Sequence, residues 1–168
     1  MSLRDLDKQR LNHLEELLEI GYEKLATFEK ELQITSSSPN QFELKQRLKR
    51  ELIPDILKFQ AEYIEILSQN LEAIVIPDTE VGFVLAQVRS IAERLQGSQT
   101  VRQYPDLEGQ IVYLNQKLDS PNIAPAAKLK FTVPLLPGIV SYEFEIETKD
   151  FLVRAGKQLH TSLKNLWK

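Results

Sequence analysis

Apolar residues recur along the first 70 positions in two long stripes. Leu11, Leu14, Leu18, Gly21, Leu25, Phe28 and Leu32 alternate spacings of three and four, the seam of a helix that packs along its length. A polar break, Thr35-Ser36-Ser37-Ser38-Pro39-Asn40, follows. Leu44, Leu48, Leu52, Ile56, Phe59, Tyr63 and Ile66 then form a second stripe, four apart at first and later on the three-four rhythm. Two such stripes joined by a few residues predict an antiparallel helical hairpin spanning about residues 9–34 and 41–71.

Within this hairpin the first helix is expected to start between Ser2 and Asp7 and to end near Ile34. Gly21 on its seam suggests either a kink or room for a bulky neighbour such as Phe59 or Tyr63. Asn40 with Glu43 fits a capping box, and Ser38-Pro39 fits a cap and first helical residue. Pro54 lacks a backbone donor and disfavours a helical Ile53, so the second helix should bend there or stop and restart.

Beyond Leu71 the pattern shortens. Residues 72–76 are a short stretch that closes on β-branched Ile74, Val75 and Ile76 before Pro77, as in a small strand or a buried connection. Val81, Val84, Val88, Ile91 and Leu95 predict a third helix over 79–96 with Gly97 as its stop. A polar loop is expected over 98–104, then a fourth helix from Pro105 with Leu107, Ile111, Leu114 and Leu118 on one face. Pro121 and Pro125 mark 120–127 as a linker.

After the linker the period changes to two. Leu129, Phe131 and Val133 alternate with Lys128, Lys130 and Thr132, and Val140, Tyr142, Phe144 and Ile146 alternate with Ser141, Glu143, Glu145 and Glu147. A turn at Pro137-Gly138 would pair these as a β-hairpin, with Lys130 opposite Glu145 and Lys128 opposite Glu147. A fifth helix, about 149–167, carries Leu152, Ala155, Leu159, Leu163 and Leu166. The expected fold is mainly α with an α+β element: a helical domain over 1–119, a linker over 120–127, and a β-hairpin with a terminal amphipathic helix over 128–168 packed on the rest.

Composition narrows the function classes. With 168 residues, 42% of them hydrophobic, the chain can bury a core. A net charge of -3 argues against whole-molecule attraction to nucleic acid, and the basic run Lys45-Gln46-Arg47-Leu48-Lys49-Arg50 is explained by ion pairs with Glu23, Glu29 and Glu31 on the first helix. The absence of cysteine removes disulfides, thiol nucleophiles and cysteine-ligated zinc. With no long apolar run and no signal-peptide layout, a soluble, cytoplasmic protein is expected. His13 and His160 lack partners at metal-ligand spacing, and no phosphate-binding or nucleophile motif occurs. No catalytic residue, cofactor or metal is expected, and the protein is read as a non-enzyme.

Two features point to surfaces instead. The stretch from Val133 to Val140 holds no charged or polar side chain, so the hairpin tip should be covered by the core, a partner or lipid, with Leu135, Leu136 and Ile139 as contact candidates. The last helix carries Lys149, Arg154, Lys157, Lys164 and Lys168 against Asp150, so Lys157, Lys164 and Trp167 are candidates for a partner or a membrane surface. The expected partner is a protein, either another chain or a second copy in a four-helix homodimer with Leu18, Leu25, Phe59 and Tyr63 near its contacts.

The run from Tyr22 through Leu32, Tyr-Glu-Lys-Leu-Ala-Thr-Phe-Glu-Lys-Glu-Leu, and the run from Ser38 through Arg47, Ser-Pro-Asn-Gln-Phe-Glu-Leu-Lys-Gln-Arg, carry a family resemblance. They resemble the short helical-hairpin modules of bacterial, especially cyanobacterial, multidomain proteins that also contain signalling ATPases of the STAND or NACHT type, TIR domains or caspase-like peptidases. The resemblance covers about residues 9–71 and implies an adaptor or effector-associated module in bacterial defence or stress signalling. It carries no catalytic residue across.

Overall fold

The computed structural model describes residues 3–167; Ser2 and Lys168, both named above, lie outside the described residues. Helix α1 (Asp5–Ile34) buries Leu11, Leu14, Leu18, Gly21 and Leu25 of the predicted seam, while Phe28 and Leu32 at its far end are only half-buried. Gly21 is there to admit Ile56, not Phe59 or Tyr63: a Cβ added at Gly21 would lie 2.9 Å from the Ile56 Cγ1. After the break the chain forms α2 (Ser38–Arg47), with Pro39 in its first turn, and runs on through a π turn (Leu48–Leu52) into α3 (Ile53–Gln69).

The π turn is how the chain accommodates Pro54. Ile53 keeps helical angles, φ -62° and ψ -46°, and its N–H bonds the carbonyl of Leu48, five residues back. Widening one turn relieves the clash a proline ring makes with the carbonyl four residues before it. The same turn absorbs the run of four-residue spacings at Leu44, Leu48, Leu52 and Ile56, which would drift around a regular helix. The helix therefore neither stops nor restarts, contrary to the steric expectation for Ile53.

A 3-10 turn (Leu71–Ala73) leads to an extended connection and α4 (Asp78–Gln96), which buries Val81, Val84, Val88, Ile91, Ala92 and Leu95. The stretch expected as a polar loop contains a short helix, α5 (Gln99–Gln103), whose first turn is capped by the Ser98 side chain accepting the Thr100 N–H. Helix α6 (Pro105–Asp119) buries Leu107, Ile111, Leu114 and Leu118 as its spacing predicts.

The predicted β-hairpin does not form. Among the described residues 86% are helical and none is in a strand. Residues 125–140 fold as α7 (Pro125–Thr132), a 3-10 turn (Val133–Leu135) and α8 (Leu136–Val140). Leu129, Thr132, Val133, Leu136 and Ile139 are the buried members, and their spacings of three, one, three and three trace a helical face. Phe131, the centre of the supposed strand, is 44% exposed. Pro125, Pro134 and Pro137 each stand in the first turn of a helical element, where a missing N–H costs nothing. A lone two-stranded ribbon is marginal, whereas α7 packs on α4 and α6, and α8 on α3. The charge pairs of the ribbon are replaced as well: Lys130 pairs with Glu72 at 3.1 Å, and Lys128 donates to the Leu118 carbonyl at 2.8 Å.

Helix α9 (Ile146–Trp167) begins three residues earlier than its charge pattern suggests and lies against α3 and α4. It buries Leu152, Val153, Ala155, Gly156, Leu159, His160 and Leu163. One core runs from Leu3 to Leu163 and includes side chains from both sides of the 120–127 segment. At roughly 1.5–3 kcal/mol for each fully buried aliphatic side chain, Leu152, Val153, Leu159 and Leu163 fasten α9 to that core.

Candidate functional site

Three places on this bundle hold side chains that the core does not explain. The first is a buried polar cluster where α1, α3 and α9 meet. On α3 the stripe Ile53, Ile56, Leu57, Gln60, Tyr63, Ile64, Leu67 includes one amide. Gln60 is 4% exposed, and its Nε2 donates to the Val153 carbonyl of α9 at 2.9 Å and to the Tyr22 hydroxyl of α1 at 3.0 Å. Gly156 makes room for it, since a Cβ there would lie 2.5 Å from the Gln60 Oε1.

One turn along, the Trp167 Nε1–H donates to the Tyr63 hydroxyl at 2.7 Å, and that hydroxyl donates to the buried Glu15 Oε1 at 2.9 Å. His160 lies edge-on to the Tyr63 ring, centroids 4.5 Å apart. Its Nε2 sits 3.8 Å from the same Glu15 oxygen and has no hydrogen-bond partner. Burial raises the Tyr63 phenol well above its ordinary range and pushes Tyr22 up to about 12, the Gln60 bond pulling Tyr22 slightly back. Burial also lowers the His160 imidazole below its ordinary value, outweighing the opposite pull of Glu15, with Lys164 acting in the same direction as burial.

The second place is a cleft of about 670 Å³ between α3 and the α8 region, lined by Pro54, Leu57, Lys58 and Ala61 on one side and Pro134, Pro137 and Tyr142 on the other. Its charges are mixed: Lys58 and Lys149 against Glu62, Glu65 and Glu143. Several are already engaged. Lys149 pairs with Glu143, and Glu62 accepts both Nε and Nη2 of Arg10 at 2.6 and 2.8 Å, which holds its carboxyl below the usual range. The Ser141 hydroxyl donates to the Gly138 carbonyl, so it serves the turn. No base and nucleophile face each other in this cleft.

The third place is the outer end of the helical hairpin. Beyond Leu25 on α1 and before Leu52, no side chain is buried. The hairpin ends in a two-helix arm, about nine residues or roughly 14 Å long on the α1 side. Ile34 is 74% and Phe42 65% exposed near its tip. The arm is stabilised from within by Gln41, whose side chain donates to the Thr35 carbonyl, and by Arg47 over the Phe28 ring at 5.2 Å. Arg47 reaches Glu51 on its own helix at 4.0 Å, while Glu29 pairs with Arg154 of α9 at 3.1 Å. The basic run is thus not neutralised by the glutamates of α1 in the way its sequence position suggests.

The six residues singled out from the sequence divide into two groups. Leu136 and Ile139 are fully buried in the protein's own core, and Leu135 is half-buried in a separate groove beside Tyr113 and Tyr142. Lys157, Lys164 and Trp167 gather around the polar cluster: Lys157 stands over the Tyr22 ring at 5.1 Å, half-buried Lys164 bears on His160, and Trp167 closes on Tyr63. Of the four residues named for a dimer contact, Leu18, Leu25 and Tyr63 are buried within one chain and Phe59 is half-buried against the same core. Gln60 and Gly156 were not singled out from the sequence, and Glu15, which beside Glu16 reads as part of a solvated face, is instead buried. Gln60, a lone amide on an apolar stripe, was the available signal.

Among the described residues no group of three or more histidine or acidic side chains could hold a metal ion, and no helix is long and apolar enough to cross a membrane. Comparison with known protein families, with curated proteins and with solved structures finds no match to this chain.

Proposed function

We propose that this protein is a non-enzymatic interaction module of adaptor type, which engages a protein partner through the exposed tip of its helical hairpin. The observation that carries this reading is the contrast between a closed core and an uncovered arm with Ile34 and Phe42 at its end. An arm of two helices presents apolar side chains on a rigid support, so little conformational entropy is lost on binding. The family resemblance of residues 9–71 falls on the same stretch and supports an adaptor role in bacterial signalling. A membrane-surface role through the last helix gains no support, because the apolar stripe of α9 faces α3 and α4 and leaves no such face for lipid.

The test is a comparative capture from cells of the source with the wild-type protein and the double variant Ile34→Ser, Phe42→Ser as baits. Both positions are largely exposed, so the variant should melt with the wild type within about 0.5 kcal/mol. Loss of a wild-type partner at unchanged stability supports the arm as the docking site. Identical captured sets for the two baits reject it.

A further inference from the structure

His160 is only 5% exposed, yet it is an ionisable ring whose Nε2 finds no hydrogen bond. The groups that face it come from three helices: Glu15, Glu19 and Tyr22 of α1, Tyr63 of α3, and Lys164 and Trp167 of α9. Lys157 lies one step further out, on the Tyr22 ring. A neutral imidazole tolerates one unbonded nitrogen, but a buried imidazolium needs an acceptor at hydrogen-bond distance. The nearest is Glu15 Oε1 at 3.8 Å, about 1 Å too far for a charge-assisted bond. That oxygen already accepts the Tyr63 hydroxyl, which in turn holds Trp167. To bond that oxygen a protonated His160 must draw the Glu15 carboxylate about 1 Å toward itself, away from the Tyr63 hydroxyl through which the end of α9 is fastened.

We propose that His160 is an acid-sensitive latch: when its imidazole takes up a proton, the chain from Trp167 through Tyr63 to Glu15 is broken and the last turns of α9 come away from α1 and α3. The direction follows from linkage. The latched state binds the proton more weakly than an open state in which the ring meets water. The latch is complete above the ordinary histidine value of about 6.5 and weakens as pH falls below it, down to the lowered value of the latched ring. Within that window the open fraction rises by up to about tenfold per pH unit.

Trp167 is the chain's one tryptophan, so its emission reports the latch directly. Emission and far-ultraviolet circular dichroism are followed together from about pH 8 to about pH 5. The expected result is a red shift of emission that begins below about pH 6.5 while the helical signal is retained. His13 is exposed on α1, and His13→Gln should keep this transition. His160→Gln should abolish it. A second measurement guards against misfolding of that variant: NMR titration of the His160 ring in the wild type should give a value below the ordinary one, with tryptophan emission changing over the same pH range. A flat wild-type emission profile, a transition that persists in His160→Gln, or a His160 ring that titrates at or above its ordinary value would each overturn the latch.

Discussion

Replacing glycines by alanine inside four helices provides a direct test of the packing. Gly21, Gly82, Gly109 and Gly156 lie within α1, α4, α6 and α9, where alanine is intrinsically better by about 1 kcal/mol. A Cβ at Gly82 or Gly109 meets nothing within 4 Å, so each variant should gain roughly 0.5–1 kcal/mol. At Gly156 the new methyl would stand 2.5 Å from Oε1 and 2.7 Å from Cδ of Gln60. Gln60 cannot withdraw without giving up its bonds to Val153 and Tyr22, about 0.5–1.5 kcal/mol each. Together the two bonds are worth about 1–3 kcal/mol, so set against a helix gain of about 1 kcal/mol, Gly156→Ala should lose up to about 2 kcal/mol. Gly21→Ala should likewise lose up to about 2 kcal/mol, because overpacking against buried Ile56 costs about 1–3 kcal/mol and the propensity gain offsets about 1 kcal/mol of it. Urea unfolding at constant m-value measures all four. If Gly156→Ala stabilised the protein as much as Gly82→Ala and Gly109→Ala do, the close approach of α9 to α3 would not be as described.

Three further outcomes follow from the same geometry. Leu136→Ala should cost about 2–5 kcal/mol as a cavity in the core, whereas Leu135→Ala on the groove rim should cost less than half as much, measured by the same unfolding assay. The Glu145 carboxylate accepts the Ser98 hydroxyl, the Thr100 N–H and the Thr148 hydroxyl; Glu145→Ala should therefore lower stability by about 1–2 kcal/mol and speed amide exchange in α5. A double-mutant cycle on Arg10 and Glu62 should give no more than about 1 kcal/mol of coupling, because both side chains are over 30% exposed. Since the folded-state pKa of Glu62 is depressed, that coupling is present above the ordinary carboxylate value of about 4.5 and is lost as pH falls through the lowered one.

The first helix of the hairpin, α4 and α6 were legible because their apolar spacing is local and regular: Leu11 to Leu25, Val81 to Leu95 and Leu107 to Leu118 bury the side chains their period selects, whereas the second stripe buries Leu52, Ile56 and Tyr63 and leaves Leu44, Leu48, Phe59 and Ile66 half-buried. The last third misled because a run can satisfy two periods at once. Leu129 and Val133 are two steps apart on a strand and one turn apart on a helix, and only the presence of α4 and α6 to pack against decides between them. Prolines 125, 134 and 137 read as turn and edge-strand markers, yet they are equally good first-turn residues. The polar cluster was hidden for another reason. Glu15, Tyr63, His160 and Trp167 come from three distant stretches, and no local pattern announces their meeting.

The helical packing of 125–140 also bears on how this chain could misfold. Its residues keep strand-compatible alternation, and the stretch from Val133 to Val140 is uncharged, so what prevents cross-β pairing is its burial against α3 and its prolines. Lys128 and Lys130 stand just before it as flanking charges of the kind that hinder sheet stacking. Any partly opened state that lifts α7 and α8 off the bundle presents this stretch to other molecules. Aggregation on heating should therefore start from local release of α7 and α8, ahead of complete unfolding of the helical hairpin.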